Sequence, residues 1–273
     1  MIVPSNIIGV WGLPRSGTTW LSQILNSSPY TIFRYQPLFS YAFKDYLSDS
    51  STKEDILQFF QKIIDTKDYF LLFGKANQNE KSQLEFNKIG SPTHLVMKHV
   101  RYLHIINNLL NRIPDFKVIG IIRHPCATIN SWINCKREFS SKWNDDKEWQ
   151  KAEKKNKNRV EEYFGFNKWK EGVTMFEDLV TRFPDRFYIQ SYSDLLNDSE
   201  NESKKLFEFA NLNYCKQTST FICKSREFTG KSDYSVFRSK DNDRAWKNEL
   251  SSSIIKSIEE DLLDTKLEKY LLG

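Results

Sequence analysis

Residues 7–26 read Ile-Ile-Gly-Val-Trp-Gly-Leu-Pro-Arg-Ser-Gly-Thr-Thr-Trp-Leu-Ser-Gln-Ile-Leu-Asn. This run limits what the chain can become more than any other. An apolar, β-prone stretch enters a loop holding Gly12 and Gly17. It leaves in a helical pattern that puts Trp20, Leu21, Ile24 and Leu25 on one side. Strand, loop and helix in this order turn unpaired backbone N–H groups at a helix N-terminus toward an anion. The two glycines have the spacing of a Walker A loop, G-x-x-x-x-G-K-[ST], but Thr18 stands where the lysine belongs, with Thr19 after it. The cation has moved inside the loop, to Arg15. Such a loop can hold a phosphate with N–H groups, two hydroxyls and one guanidinium. It lacks the lysine that an NTPase uses on the β- and γ-phosphates.

The rest of the chain alternates short apolar runs with helical patterns. Thr31–Tyr35 reads as a strand that Pro37 stops. Residues 53–65 and 77–87 read as amphipathic helices, and Gly90-Ser91-Pro92 breaks the second. His94–Val100 is a strand, and Tyr102, Ile105, Ile106, Leu109 and Leu110 have helical spacing. Val118–Ile122 is an unbroken apolar run, as in a buried parallel strand, with Arg123-His124-Pro125 at its end. Helices follow at 126–136, 173–182, 200–211 and 249–263, and Arg186–Tyr192 is a further strand. The basic and aromatic segment 137–172 reads as a solvated helix and a loop over the active site rather than a nucleic-acid surface. With no repeat and no linker, the pattern predicts a single domain over 1–273. Its fold class is α/β, three αβα layers around a central parallel sheet. Ligands of such sheets bind beyond the carboxyl ends of the strands. The Arg15 loop, Lys98-His99, Arg123 with its following helix, and Tyr192 all fall there, which predicts one shared cleft.

At 273 residues the chain is long enough for a sizeable core. Its formal charge of +5 suits anionic ligands. The cysteines Cys126, Cys135, Cys215 and Cys223 form neither a C-x-x-C pair nor a zinc spacing. A reduced, cytoplasmic setting is expected from this. No signal peptide and no transmembrane run is read.

Pro14–Leu21 resembles the 5′-phosphosulfate loop of sulfotransferases, enzymes that use 3′-phosphoadenosine 5′-phosphosulfate (PAPS). Arg123-His124-Pro125, with Ser131-Trp132 eight positions after the arginine, resembles the 3′-phosphate element of that family. The family usually has an acidic or amide residue where His124 stands. Phe237-Arg238-Ser239-Lys240 followed by Trp246-Lys247-Asn248 is similar to its C-terminal Arg-Lys-Gly loop, with one residue more before the tryptophan. Tyr192 matches its Tyr-Glu-Asp-Leu site near the adenine, with Ser193 in place of Glu. The resemblance is dense at 9–38 and 95–132 and implies the P-loop-like sulfotransferase fold.

It also implies a set of roles. PAPS is the co-substrate, held by Arg15, Ser16, Gly17, Thr18, Thr19 and Trp20. Arg123, Ser131, Tyr192, Arg238, Ser239 and Lys240 complete that set. No metal is required, and no nucleic acid is a partner. Arg15 neutralises the charge that builds as 3′,5′-ADP leaves. For the base that takes the acceptor proton the family has two solutions. One is a Glu in a Glu-Pro-Leu-like context, where this chain has Gln36-Pro37-Leu38, and an amide is no base. The other is a His after a strand lysine, often Lys-x-His, where this chain has Lys98-His99 without the intervening residue. The base is therefore assigned to His99, and Lys98 to the sulfuryl oxygens. The favoured acceptor is a saccharide or glycolipid hydroxyl, with a small-molecule alcohol or phenol as the other choice and peripheral membrane contact compatible with either. Two further readings stay open: a P-loop kinase or NTPase, and a non-catalytic module that binds PAPS or anionic glycans.

Overall fold

The computed structural model describes residues 3–74, 78–227, 229–230, 232–239 and 242–272. Five strands form its sheet: β1 (Asn6–Gly12), β2 (Thr31–Tyr35), β3 (His94–His99), β4 (Phe116–Ile122) and β5 (Phe187–Ser191). Their spatial order is β2-β3-β1-β4-β5, and every pair is parallel. β1 is the centre, with β3 on one side and β4 on the other. The connection after β1 runs to the β2 side and the one after its neighbour β4 runs to β5 on the other side, so the crevice outside the carboxyl ends of these two strands is the topological switch point.

Side chains alternate across each strand. Ile7 and Trp11 of β1, Leu95 and Met97 of β3, and Phe116, Val118 and Ile122 of β4 enter one core. Helices Lys53–Asp65, Ile106–Arg112, Pro125–Ile133, Phe166–Arg182 and Ser252–Leu262 cover that face. Ile8 and Val10, Val96, Ile119 and Ile121 enter a second core on the other face. It is closed by α1 (Thr18–Asn26) and by helices Ser199–Phe209 and Lys216–Glu227. The three-layer α/β expectation holds.

Several boundaries differ. The expected strand to Val100 stops at His99, and Tyr192 opens a short helix, Tyr192–Asn197, capped by Ser191. The helix expected at 77–87 is described over Gln78–Gln83. Residues 137–172 contain helices Asp145–Lys151 and Glu153–Asn156 and the first turns of Phe166–Arg182. That last helix starts early because Phe166, Trp169, Val173, Phe176 and Leu179 repeat at three or four and are all buried. The helix Lys216–Glu227 escapes the apolar period because two of its four buried positions are Thr218 and Ser225.

Candidate active site

The loop after β1 is a tight turn, with the Ser16 N–H donating to the Leu13 carbonyl at 3.2 Å. Arg15 has φ 73° and Gly17 φ 91°, both in the left-handed region. Glycine adopts this freely and arginine does not, so the surrounding contacts must hold Arg15 there. A Cβ on Gly17 would fall 2.5 Å from the Tyr192 ring, which therefore lies directly on the glycine. Gly17 is also the N-cap of α1. It supplies no side-chain cap, and the first turn carries no acidic residue. The N–H groups of that turn and its positive dipole end are thus left for an anion.

Two arginines close the cluster. Arg15 donates from Nε to Ser131 Oγ at 3.2 Å and from Nη2 to the Asp233 carbonyl at 3.1 Å. Arg123 donates from Nη1 to the carbonyl of Arg15 at 2.7 Å. Its Nε and Nη2 fork onto both carboxylate oxygens of Asp243, each at 2.6 Å. Trp169 Nε1 donates to the Arg123 carbonyl at 3.1 Å, which fixes the strand end from the helix side. Burial disfavours the Arg123 charge, but Asp243 outweighs burial and holds the guanidinium above its ordinary value. Tyr192 lies under this guanidinium, 5.0 Å from it, and meets Trp20 edge to face. Trp20 Nε1 is held by Ser225 Oγ at 2.9 Å.

The segment after helix Lys216–Glu227 returns to the same place. Arg238 donates from its backbone to the Ser225 carbonyl at 2.8 Å and from Nη2 to the Ser232 carbonyl at 3.1 Å. Burial first, and the Arg15 charge second, pull its guanidinium below the ordinary value. Two like charges facing one space make it a place for an anion. The Ser239 N–H donates to Thr229 Oγ1 at 3.2 Å. Lys240 lies outside the described residues.

All of this surrounds one cavity of about 500 Å³, a size usual for small-molecule sites. Arg15, Gly17, Thr18, Thr19 and Trp20 line it from the loop and α1. Lys98, Arg123 and Tyr192 line it from strand ends, and Ser131, Arg238 and Ser239 from the segments beyond. The shared cleft expected from the sequence is therefore present. Ser16 is not in its wall: the residue is fully buried and its Oγ has no hydrogen-bond partner.

The assignment of the base to His99 needs correction. Neighbours on a strand point to opposite faces, and here Lys98 takes the cavity face, its Nζ 4.5 Å from the Tyr35 ring centre. His99 takes the other face, stacked on Trp11 at 4.6 Å between centroids and outside the cavity wall. Its Nε2 is buried without a partner. Burial, then the Lys98 charge, pull its pKa down to about 3. None of the four histidines lines the cavity. His124 instead caps its helix, accepting from the Cys126 N–H at 3.2 Å, and stacks on Trp246. Gln36 does line the cavity, with Oε1 buried and unpartnered. Val100, Arg101, Phe164, Glu138, Asp233, Tyr234, and Glu249 also line it. These, with Asp243, are what the sequence did not disclose. Apart from Glu249, which ends the short helix Trp246–Glu249, they stand in turns and loops, where no apolar period marks them. Among the described residues no group of three His, Cys, Asp or Glu is placed to hold a metal ion, and no helix is long and apolar enough to cross a membrane.

The model of the sulfotransferase family matches residues 8–216. No protein of curated function matches the sequence. Among solved structures, mouse sulfotransferase SULT7A1 complexed with PAP is 15% identical, covers 99% of this chain and 88% of its own, and has a TM-score of 0.59. Retinol dehydratase in complex with androsterone and the inactive cofactor PAP is 14% identical, covering 97% and 82%, with a TM-score of 0.57. The sulfotransferase domain from the curacin biosynthetic pathway is 17% identical, covering 96% and 98%, with a TM-score of 0.52. At these identities the structures speak for the fold. The family match spans most of the chain: the protein belongs to the sulfotransferase family.

Proposed function

We propose that the protein transfers a sulfuryl group from PAPS to an acceptor hydroxyl. The observation that carries this is the joined cluster of Arg15, Ser131 and Arg123 at the mouth of a loop that has Thr18 where a Walker lysine would stand. The residues fit the co-substrate. An uncapped helix start and a bare glycine make the cradle for its 5′-phosphate, with the Thr18 and Thr19 hydroxyls beside it. Arg123 already offers its fork to a carboxylate, and the same fork suits a phosphate. Ser131, Arg238 and Ser239 stand with it for the 3′-phosphate. Tyr192 and Trp20 provide aromatic surface for the adenine. The PAP in the two structures named above supports this choice of nucleotide.

PAPS supplies an activated sulfuryl group on a good leaving group. Arg15 offsets the charge that develops on that leaving group, a preorganised electrostatic effect. Lys98 faces the sulfuryl oxygens from the end of β3. The remaining wall, Gln36, Val100, Arg101 and Phe164, is the acceptor side. Its mix of amide, cation, and apolar surface supports a saccharide or glycolipid hydroxyl. The free thiols Cys126, Cys135, Cys215 and Cys223 support a reducing, cytoplasmic setting.

The test is consumption of PAPS, read as 3′,5′-ADP by chromatography, with n-octyl β-galactoside and 2-naphthol as acceptor probes. Wild-type protein should release 3′,5′-ADP, and Arg15→Ala should slow release by about 100-fold or more, the loss usual for a transition-state charge contact. Equal release by the two proteins would contradict the reading.

A further inference from the structure

A hydroxyl that attacks sulfur must lose its proton, and this cavity contains no imidazole. Its described wall holds three carboxylates, Glu138, Asp233 and Glu249. Glu249 is engaged through Oε2 by Asn130 Nδ2 at 2.7 Å and Asn134 Nδ2 at 3.3 Å, on the helix that carries Ser131. Asp233 gives its carbonyl to Arg15, and its carboxylate lies 3.9 Å from the Cys135 thiol. Both belong to the nucleotide cluster.

Glu138 is placed differently. Its backbone is anchored by a turn off the same helix, the Glu138 N–H donating to the Cys135 carbonyl at 2.8 Å. Its side chain is 11% exposed. The carboxylate accepts from the Tyr234 phenol and pairs with the Lys155 ammonium. Lys155 in turn lies 4.6 Å from the Phe164 ring centre, and Arg101 lies 5.7 Å from the same ring. Phe164 and Arg101 are the acceptor wall. On the other side the Tyr234 ring lies 5.9 Å from the Arg15 guanidinium. Glu138 therefore sits between the acceptor wall and the group that faces the leaving oxygen. Burial, then the bond to Glu138, push the Tyr234 phenol well above its ordinary value, so Tyr234 stays a donor and orients the carboxylate.

We infer that Glu138 is the general base of this enzyme, a role that rests on the sulfuryl-transfer reading above. The acceptor O–H gives its proton to a Glu138 oxygen as the acceptor oxygen bonds to sulfur. The bond from sulfur to the bridging oxygen of PAPS breaks, and its electron pair leaves with 3′,5′-ADP. Tyr234 is a positioning residue. Lys155 holds the carboxylate from its other side.

The experiment measures two quantities on wild type, Glu138→Gln and Glu138→Ala: the dissociation constant of 3′,5′-ADP by calorimetry, and the rate of PAPS turnover with water or n-octyl β-galactoside as acceptor. General-base catalysis is worth 10²–10⁴-fold, so E138Q should slow turnover by at least about 100-fold while its dissociation constant stays within about two-fold. Added formate should restore part of the E138A rate, which a purely structural glutamate would not allow. Turnover of E138Q near the wild-type rate overturns the assignment. So does a parallel loss of nucleotide affinity without formate rescue. Wild-type protein that binds no 3′,5′-ADP overturns the sulfuryl-transfer reading itself, and the role of Glu138 with it.

Discussion

Arg15 and Arg123 meet through a single backbone carbonyl, and this contact ties the loop to the end of β4. The two guanidinium groups then diverge, one to Ser131 and one to Asp243. Only an arginine can do this, because its planar fork serves two partners in fixed directions. His99 shows the opposite behaviour, a titratable group used as core. Its folded pKa is about 3, against about 6.5 for an unfolded histidine. The fold therefore favours the neutral ring. That contribution is fully present above about pH 6.5 and is lost as pH falls toward 3, because the unfolded chain then binds the extra proton. His124, pulled down to about 4 by burial, adds to the same window. His99→Phe keeps the stack on Trp11 and removes an unpartnered buried nitrogen. Urea unfolding of this variant should show a flatter loss of stability below pH 6.5, by up to about 1.4 kcal/mol per pH unit. A wild-type slope in the variant would mean that His99 is protonated in the fold.

The loop and α1 work as one element. Gly17 needs a left-handed φ and also lies under the Tyr192 ring, so an added methyl meets strain and collision together. Gly17→Ala should lower stability by about 1–3 kcal/mol and weaken 3′,5′-ADP binding, both measurable by calorimetry. An unchanged affinity would show that the loop does not shape the site. This element was legible in the sequence because its chemistry is local: two glycines, one cation and two threonines within a single turn. The strands were legible because each is a short apolar run. The base was not. Lys98 and His99 are adjacent in sequence, and the two-residue period of β3 sends them to opposite faces. Glu138 and Tyr234 are 96 positions apart, and Arg123 and Asp243 are 120 apart. Neither Glu138 nor Asp243 stands in a strand or helix, so no local pattern could announce either pair.

For the whole molecule, the sheet order gathers these parts. With β1 central, its loop, the end of β3 and the end of β4 open on one crevice, and the chain returns at 229 and 233–239 to line it. The helix Lys216–Glu227 makes that return: Ser225 holds Trp20 through its hydroxyl and Arg238 through its carbonyl. A cavity so walled with arginine, and without a Walker lysine, should recognise a nucleotide by its 3′-phosphate. The most direct measurement is calorimetric titration of wild type and Arg123→Ala with 3′,5′-ADP, 5′-ADP and Mg-ATP. Wild type should bind 3′,5′-ADP strongly and the other two far more weakly, and the variant should lose about 2–5 kcal/mol of 3′,5′-ADP binding. Preference for Mg-ATP, or equal affinity of wild type and Arg123→Ala for 3′,5′-ADP, would contradict recognition by the 3′-phosphate.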